Sequence, residues 1–226
     1  MNKLFSLDSP LFRFLEKVAD FFIVNALFAL CSLPVITAGA ALTAAFKVMQ
    51  NMVMDNEQPI VKSFFKTFKN DFKQSTLLWL IVLGVLAFLI FDLLVVYFNL
   101  QGSIALVLYV FLGVCSVVTL GSAVFSFQMI ARYENPLKQH LRNGFFLAIG
   151  NLPRTVVILA VLAIPFFFLF VNPTFFFNIL PFWAIMGMSI LFYNATRLLR
   201  PIFLKLEEGV EEEEAAEEES EEETES

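Results

Sequence analysis

The sequence predicts an all-α protein, a polytopic membrane helix bundle of about five transmembrane helices with two basic amphipathic interfacial helices and an internal repeat. Three observations lead there. Hydrophobic residues make up 58% of the 226, with 29 phenylalanines among them, and the mean hydropathy is +0.76. The apolar residues fall in runs of about 20, the length that crosses a bilayer core. Positive charge collects in alternate connecting segments, as it does in loops on one side of a membrane.

Residues 1–17, MNKLFSLDSPLFRFLEK, mix leucine and phenylalanine with charge and read as an N-terminal interfacial segment ahead of a membrane domain over 18–206. The first span is expected from about Val18 to Leu42 and contains Asn25, Pro34 and Gly39. Proline inside a span removes a ladder hydrogen bond, and Ser32 or Thr37 is placed to satisfy the freed carbonyl. Gly39, Ala40, Ala41, Ala44 and Ala45 read as a face for close helix packing. Glu57-Gln58-Pro59 then opens a helix at a position that tolerates proline. Through Ile60 to Lys73, Ile60, Val61, Phe64, Phe65, Phe68 and Phe72 recur at helical spacing opposite Lys62, Lys66, Lys69 and Lys73. That pattern suits a helix in the headgroup plane of an anionic leaflet.

The second span, about Ser75 to Phe98, carries Asp92, an acid that by its cost in a bilayer is a functional candidate although it lies near the span's end. After the uncharged turn Asn99 to Ser103, the third span runs from about Ile104 to Ile130. Here Thr119-x-Gly121-x-Ala123 aligns with Thr37-x-Gly39-x-Ala41, Glu134-x-Pro136 with Glu57-x-Pro59, Phe145-Phe146 with Phe64-Phe65 and Asn151 with Asn70. Leu137, Leu141, Phe145 and Ile149 form a second apolar stripe beside Lys138 and Arg142. The pattern predicts a duplication, with copies over about 18–98 and 104–171. The fourth span is expected over about Thr155 to Val171 and the fifth over about 179–199. Residues 207–226 hold 13 glutamates, cannot bury apolar area and are expected to be a disordered acidic tail. Without that tail the body is basic: residues 1–206 carry 15 Lys and Arg against 8 Asp and Glu.

The loops between spans set the orientation. Lys47 through Lys73 contributes five positive charges, Arg132 through Arg154 four and Arg197 to Lys205 three, so that side and the C-terminus are expected in the cytoplasm. Five crossings then force the N-terminus outside despite Lys3, Arg13 and Lys17. A re-entrant pair around Pro34 would bring it inside. No cleavable leader is expected, since several spans follow Ala38-Gly39-Ala40.

No catalytic constellation is written in the chain. Its one histidine, His140, falls on the polar side of an amphipathic segment and reads as a surface residue, and no triad, phosphate-binding loop or metal spacing is present. Cys31 and Cys115 lie within apolar runs and act as small hydrophobes. Neither an enzyme, a cofactor nor nucleic-acid binding is expected, because the basic residues alternate with membrane anchors. The residues singled out for function or structure are Pro34, Thr37, Gly39, Glu57, Pro59, Asp92, Thr119, Gly121, Glu134 and Pro136.

The run from Asn25 to Ala44, NALFALCSLPVITAGAALTA, with the downstream E-x-P-I, F-F-K-T-F and N-D-F-K-Q-S-T between Glu57 and Thr76, resembles the YesL-like family of bacterial integral membrane proteins. The resemblance covers roughly residues 5–205. It implies a bacterial cell-membrane protein linked to carbohydrate uptake or utilisation and supplies no catalytic residues. Two functions fit: an accessory or regulatory component that binds the lipid bilayer and sugar-transporter or sensor subunits, or forms a homo-oligomer, and a small secondary transporter or exporter. Few polar residues lie within the spans, which favours the first.

Overall fold

A computed structural model describes residues 10–56 and 58–225. Among the described residues there is no strand, and the elements are α1 (Pro10–Ser32), α2 (Ala38–Val53), α3 (Ile60–Asn70), α4 (Phe72–Asn99), α5 (Gly102–Ile130), α6 (Leu137–Gly150), α7 (Leu152–Val171), α8 (Pro173–Asn178), α9 (Leu180–Phe182) and α10 (Met188–Glu225). Three of them, α4, α5 and α7, are long and apolar enough to cross a membrane.

The first expected span is not one helix. α1 ends at Ser32, Pro34 takes an extended conformation (φ −76°, ψ 115°) and a 3-10 turn over Val35–Thr37 leads into α2. Proline lacks the N–H that would continue the ladder and pushes the residue before it out of helical geometry. Thr37 completes the corner, its hydroxyl donating to the Cys31 carbonyl at 2.6 Å and to the Pro34 carbonyl at 2.8 Å. Chain direction reverses there. Glu16, Lys17 and Asp20 at the start of α1 line one cleft with Asn51, Met52 and Asp55 at the end of α2, so the run folds back as a hairpin and does not cross as a single helix.

From the base of that hairpin α3 returns along α2, with Asn51 donating to the Ser63 hydroxyl at 3.1 Å. A one-residue break at Asp71 joins it to α4, whose Ser75 hydroxyl meets that of Thr43 at 2.8 Å. This placement corrects the expectation of a helix with its whole apolar face in lipid. Phe64 is fully buried and Ser63 and Thr67 nearly so, while Val61 and Phe65 stay exposed. α6 shows the same division, with His140, Gly144 and Ala148 buried and Phe145, Phe146 and Ile149 exposed.

The core surrounds α2, which touches α1, α3, α4, α5 and α10. Ala41, Ala44 and Ala45 are fully buried there with Phe46 and Met49, and their small side chains let the neighbouring backbones close in. Beyond this core the outer parts of α4 and α5 have mainly each other, joined by Val96, Ala105 and Leu112. Their remaining surface is apolar and exposed: Phe88 is 62%, Phe91 63% and Ile104 68% accessible.

The expected fifth span also differs. Instead of one apolar helix, 179–199 comprises α9, a π turn over Trp183–Gly187 and the start of α10, with the short α8 just before it. Asn25 on α1 clamps that turn, donating to the Ala184 carbonyl at 2.6 Å and to Trp183 at 3.3 Å, and accepting from the Ser189 N–H at 3.3 Å. These bonds tie the middle of α1 to the backbone of the π turn and the first turn of α10. α10 then continues helically to Glu225, through the acidic run over 207–225.

Candidate functional site

Charged side chains gather in two places. The first is an open cleft of about 660 Å³ between α1, α2, α3 and residues Asp55, Asn56, Gln58 and Pro59 that link α2 to α3. Ile23, Val48, Met52 and Ile60 supply apolar lining, and Glu16, Asp20 and Asp55 bring carboxylates beside the amides of Asn51, Asn56 and Gln58. Asp55 holds a left-handed conformation, φ 51°, which short polar side chains tolerate best. Lys17 turns to Tyr193, 3.5 Å from its hydroxyl and 5.3 Å from the ring centroid. The cleft can hydrogen-bond a polar ligand. Among the described residues no group of His, Cys, Asp or Glu has a metal-binding arrangement.

The second is a charged junction where the α5–α6 connection meets α10. Arg132 grips Glu207 through two N–H groups, each 2.6 Å from a carboxylate oxygen, and the Tyr133 hydroxyl donates to the same carboxylate at 2.9 Å. Arg132 holds the Glu207 carboxyl below its ordinary range, and burial together with the bond to Glu207 pushes the Tyr133 phenol up to about 12. Lys47 and Asp71 share this region. Burial lowers the Lys47 ammonium and raises the Asp71 carboxyl. The sequence reading missed Glu207 by counting it as the first tail residue, although Arg132 and Tyr133 are the only hint the chain offers.

His140, expected at the surface, is fully buried, and neither ring nitrogen has a partner among the described residues. Burial pushes its pKa down, favouring the neutral ring. On this inner face of α6, Ser126 of α5 donates to the His140 backbone carbonyl at 3.1 Å, and Gly144 one turn later lets α6 lie against the Ser122 carbonyl, 2.9 Å from where a Cβ would be.

The residues singled out from sequence do not converge on one site. Pro34 and Thr37 make the hairpin corner. Gly39 lies against α4, where an added Cβ would stand 2.5 Å from Trp79 Cβ and 2.6 Å from the Ser75 carbonyl. Gly121 lies against α7 in the same way, its missing Cβ replaced by the Thr155 methyl. Pro59 and Pro136 directly precede α3 and α6, and their carbonyls accept from Ser63 and His140 at 2.9 and 3.2 Å. Pro59 also lines the cleft. Thr119 is half-buried, Glu134 is exposed, and Asp92 is half-buried on the outer part of α4, remote in sequence from either polar site. Glu57 lies outside the described residues.

The model of a family described as "Protein of unknown function, DUF624" matches residues 21–93, from α1 through most of α4. Over 206 residues the chain is 26% identical to "Uncharacterized protein YteU" of Bacillus subtilis (strain 168), a match covering 87% of this chain and 86% of that protein. No solved structure matches the chain.

Proposed function

We propose that the chain is a multi-pass component of a bacterial cell membrane that acts by binding other proteins, without catalysis of its own, as an accessory or regulator of carbohydrate uptake or utilisation. The observation that carries the accessory role is the position of the polar cleft: every residue lining it belongs to α1, α2, α3 or their connection, and none to α4, α5 or α7. A solute transporter places its polar groups between spanning helices near the bilayer midplane. Here the open cleft lies outside α4, α5 and α7, and the polar side chains Ser75 of α4 and Gln128 of α5 are bonded to Thr43, Gln50 and Thr196. The carbohydrate link rests on the YesL-like resemblance of Asn25 to Ala44 alone.

Duplication accounts for the architecture. Two helix pairs, α3–α4 and α6–α7, each follow a proline, each contain a one-residue break, at Asp71 and Asn151, and each begin the long helix against a glycine, Gly39 or Gly121. The breaks are bonded alike, with Ser75 and Thr155 N–H donating to the Asp71 and Asn151 carbonyls at 2.9 Å. The sequence paired Asn151 with Asn70; by role it pairs with Asp71. In this reading the α1–α2 hairpin enters and leaves from the cytoplasmic side, which also receives the C-terminus.

Asp92 favours the second reading, a small secondary transporter. An affinity tag after Ser226 and mass spectrometry of material from native membranes in mild detergent separate the two. Stoichiometric transporter or sensor subunits, retained in an Asp92→Asn variant, support the accessory role. Solute uptake by the chain alone in liposomes, lost in that variant, overturns it.

A further inference from the structure

We propose that the outer faces of α3 and α6 are docking sites for anionic phospholipids, each offering cations to the headgroup phosphate and phenylalanines to the acyl boundary. On α3, Lys62, Lys66 and Lys69 are exposed at spacings of four and three residues, and Lys73 follows in the first turn of α4. Beside that row Val61 and Phe65 are also exposed. On α6, Lys138 and Arg142 are exposed one turn apart, followed by Phe145, Phe146 and Ile149, and Arg154 stands in the first turn of α7. The Arg142 guanidinium lies 5.9 Å from the Phe146 ring centroid, which joins the two chemistries in one contact.

Four features select a lipid as the occupant. None of these seven cations forms an ion pair among the described residues, where the single pair is Arg132 with Glu207. Their charge is therefore available to an anion. Both faces lead directly into an apolar helix, α4 or α7, so the cations stand where a bilayer's headgroups begin. A soluble polyanion would use the cations and leave the neighbouring phenylalanines in water, whereas a phospholipid uses both. The site occurs twice, before each of two apolar helices.

The inference rests on α4 and α7 crossing a bilayer, though not on the accessory role. The test uses the full chain reconstituted in phosphatidylcholine vesicles containing brominated phosphatidylglycerol or brominated phosphatidylcholine, with quenching of tryptophan fluorescence reporting relative lipid affinity. Phosphatidylglycerol is expected to be preferred by about threefold or more at low ionic strength, with the preference fading as salt screens the charges. Replacing Lys62, Lys66, Lys69, Lys138 and Arg142 by glutamine should remove it. Lysine-to-arginine and arginine-to-lysine exchange at the same positions should keep it, and so should glutamine at Arg197, Arg200 and Lys205. The reduced-charge chain must still float with the vesicles for this comparison; if it does not, the α3 set and the α6 set are replaced separately, each lowering the preference. Equal quenching by both lipids in the native chain overturns the proposal, as does an undiminished preference in a neutralised chain that inserts. Abolition of the preference by water-soluble glycerol phosphate would assign the faces to a free phosphate and overturn the lipid assignment. Failure of the native chain to enter vesicles at all would overturn the membrane reading beneath it.

Discussion

The Gln50 carboxamide donates to the Gln128 backbone carbonyl at 2.8 Å, tying α2 to α5 inside the core. Gln128 passes the connection on, donating from its own side chain to the Thr196 hydroxyl of α10 at 3.1 Å. All three residues are buried. A buried polar group left without its partner costs about 1–3 kcal/mol. Gln128→Met, similar in volume and without a donor, should therefore lower the melting temperature of the detergent-purified chain, because Thr196 loses its partner. Thr196→Val in the same background should restore part of the loss by removing the orphaned hydroxyl. Equal melting of the Gln128→Met and native chains would show that the relay contributes nothing.

Gly39→Ala and Gly121→Ala should each destabilise the chain by about 1–3 kcal/mol, the cost of overfilling a packed contact. At Gly39 the clash includes the Ser75 backbone carbonyl, which gives way less easily than a side-chain end. Gly84 is the control, since a Cβ there meets nothing within 4 Å. Thermal unfolding of the three variants should place Gly84→Ala at or above the native chain and the other two below it.

Those glycines were legible in the sequence because small residues in an apolar run have few purposes other than close approach. The proline corner was legible as a disturbance but not as a reversal: hydropathy reports that Val18 to Leu42 avoids water and is silent on whether the chain crosses or turns back. Thr37 shows the difference: Ser32 or Thr37 was expected to satisfy the carbonyl that Pro34 frees inside a continuous span, whereas the Thr37 hydroxyl bonds the Cys31 and Pro34 carbonyls at the end of a helix. His140 was misread for a related reason. An amphipathic stripe was counted from leucine and phenylalanine, while the buried face of α6 also contains Gly144 and Ala148, residues too small to register in a hydropathy pattern. The cleft was not legible, because it is assembled from segments separated by the whole hairpin.

The Arg132–Glu207 pair anchors α10 to the α5–α6 connection and should respond to acid. Glu207 is held below its ordinary value of 4.5, so its contribution is fully present above that value and is lost as pH falls through the lower, folded-state value. With the carboxylate partly exposed, the effect on global stability is small, about 1 kcal/mol or less. The local effect is readable. A spin label on Gly209→Cys, with Cys31 and Cys115 replaced by serine, should be restricted at neutral pH and gain mobility as the solution is acidified below the carboxylate range. Glu207→Gln should be mobile already at neutral pH. A label with the same mobility in both chains at neutral pH would mean that the pair does not hold the helix.

The hairpin makes a prediction about sidedness that a single crossing does not share. Asp20 on α1 and Asp55 beyond α2 line one cleft, so both belong to the same end of the molecule, while Gln101 lies between α4 and α5 at the far end of two apolar helices. If Val18 to Leu42 crossed once, Asp20 and Asp55 would be on opposite faces of the membrane. Single cysteines at positions 20, 55 and 101 in a background without Cys31 and Cys115 should therefore react as two classes with a membrane-impermeant maleimide applied to intact cells. Gln101→Cys is expected to react from outside, and Asp20→Cys and Asp55→Cys only after the cells are permeabilised. Labelling of Asp20→Cys together with Gln101→Cys in intact cells would restore the single crossing and reject the hairpin. Pro34→Ala adds a second readout, because the Thr37 hydroxyl already satisfies the Cys31 carbonyl. With that bond and the buried contacts of α2 intact, removing the proline alone should leave the labelling of all three positions unchanged.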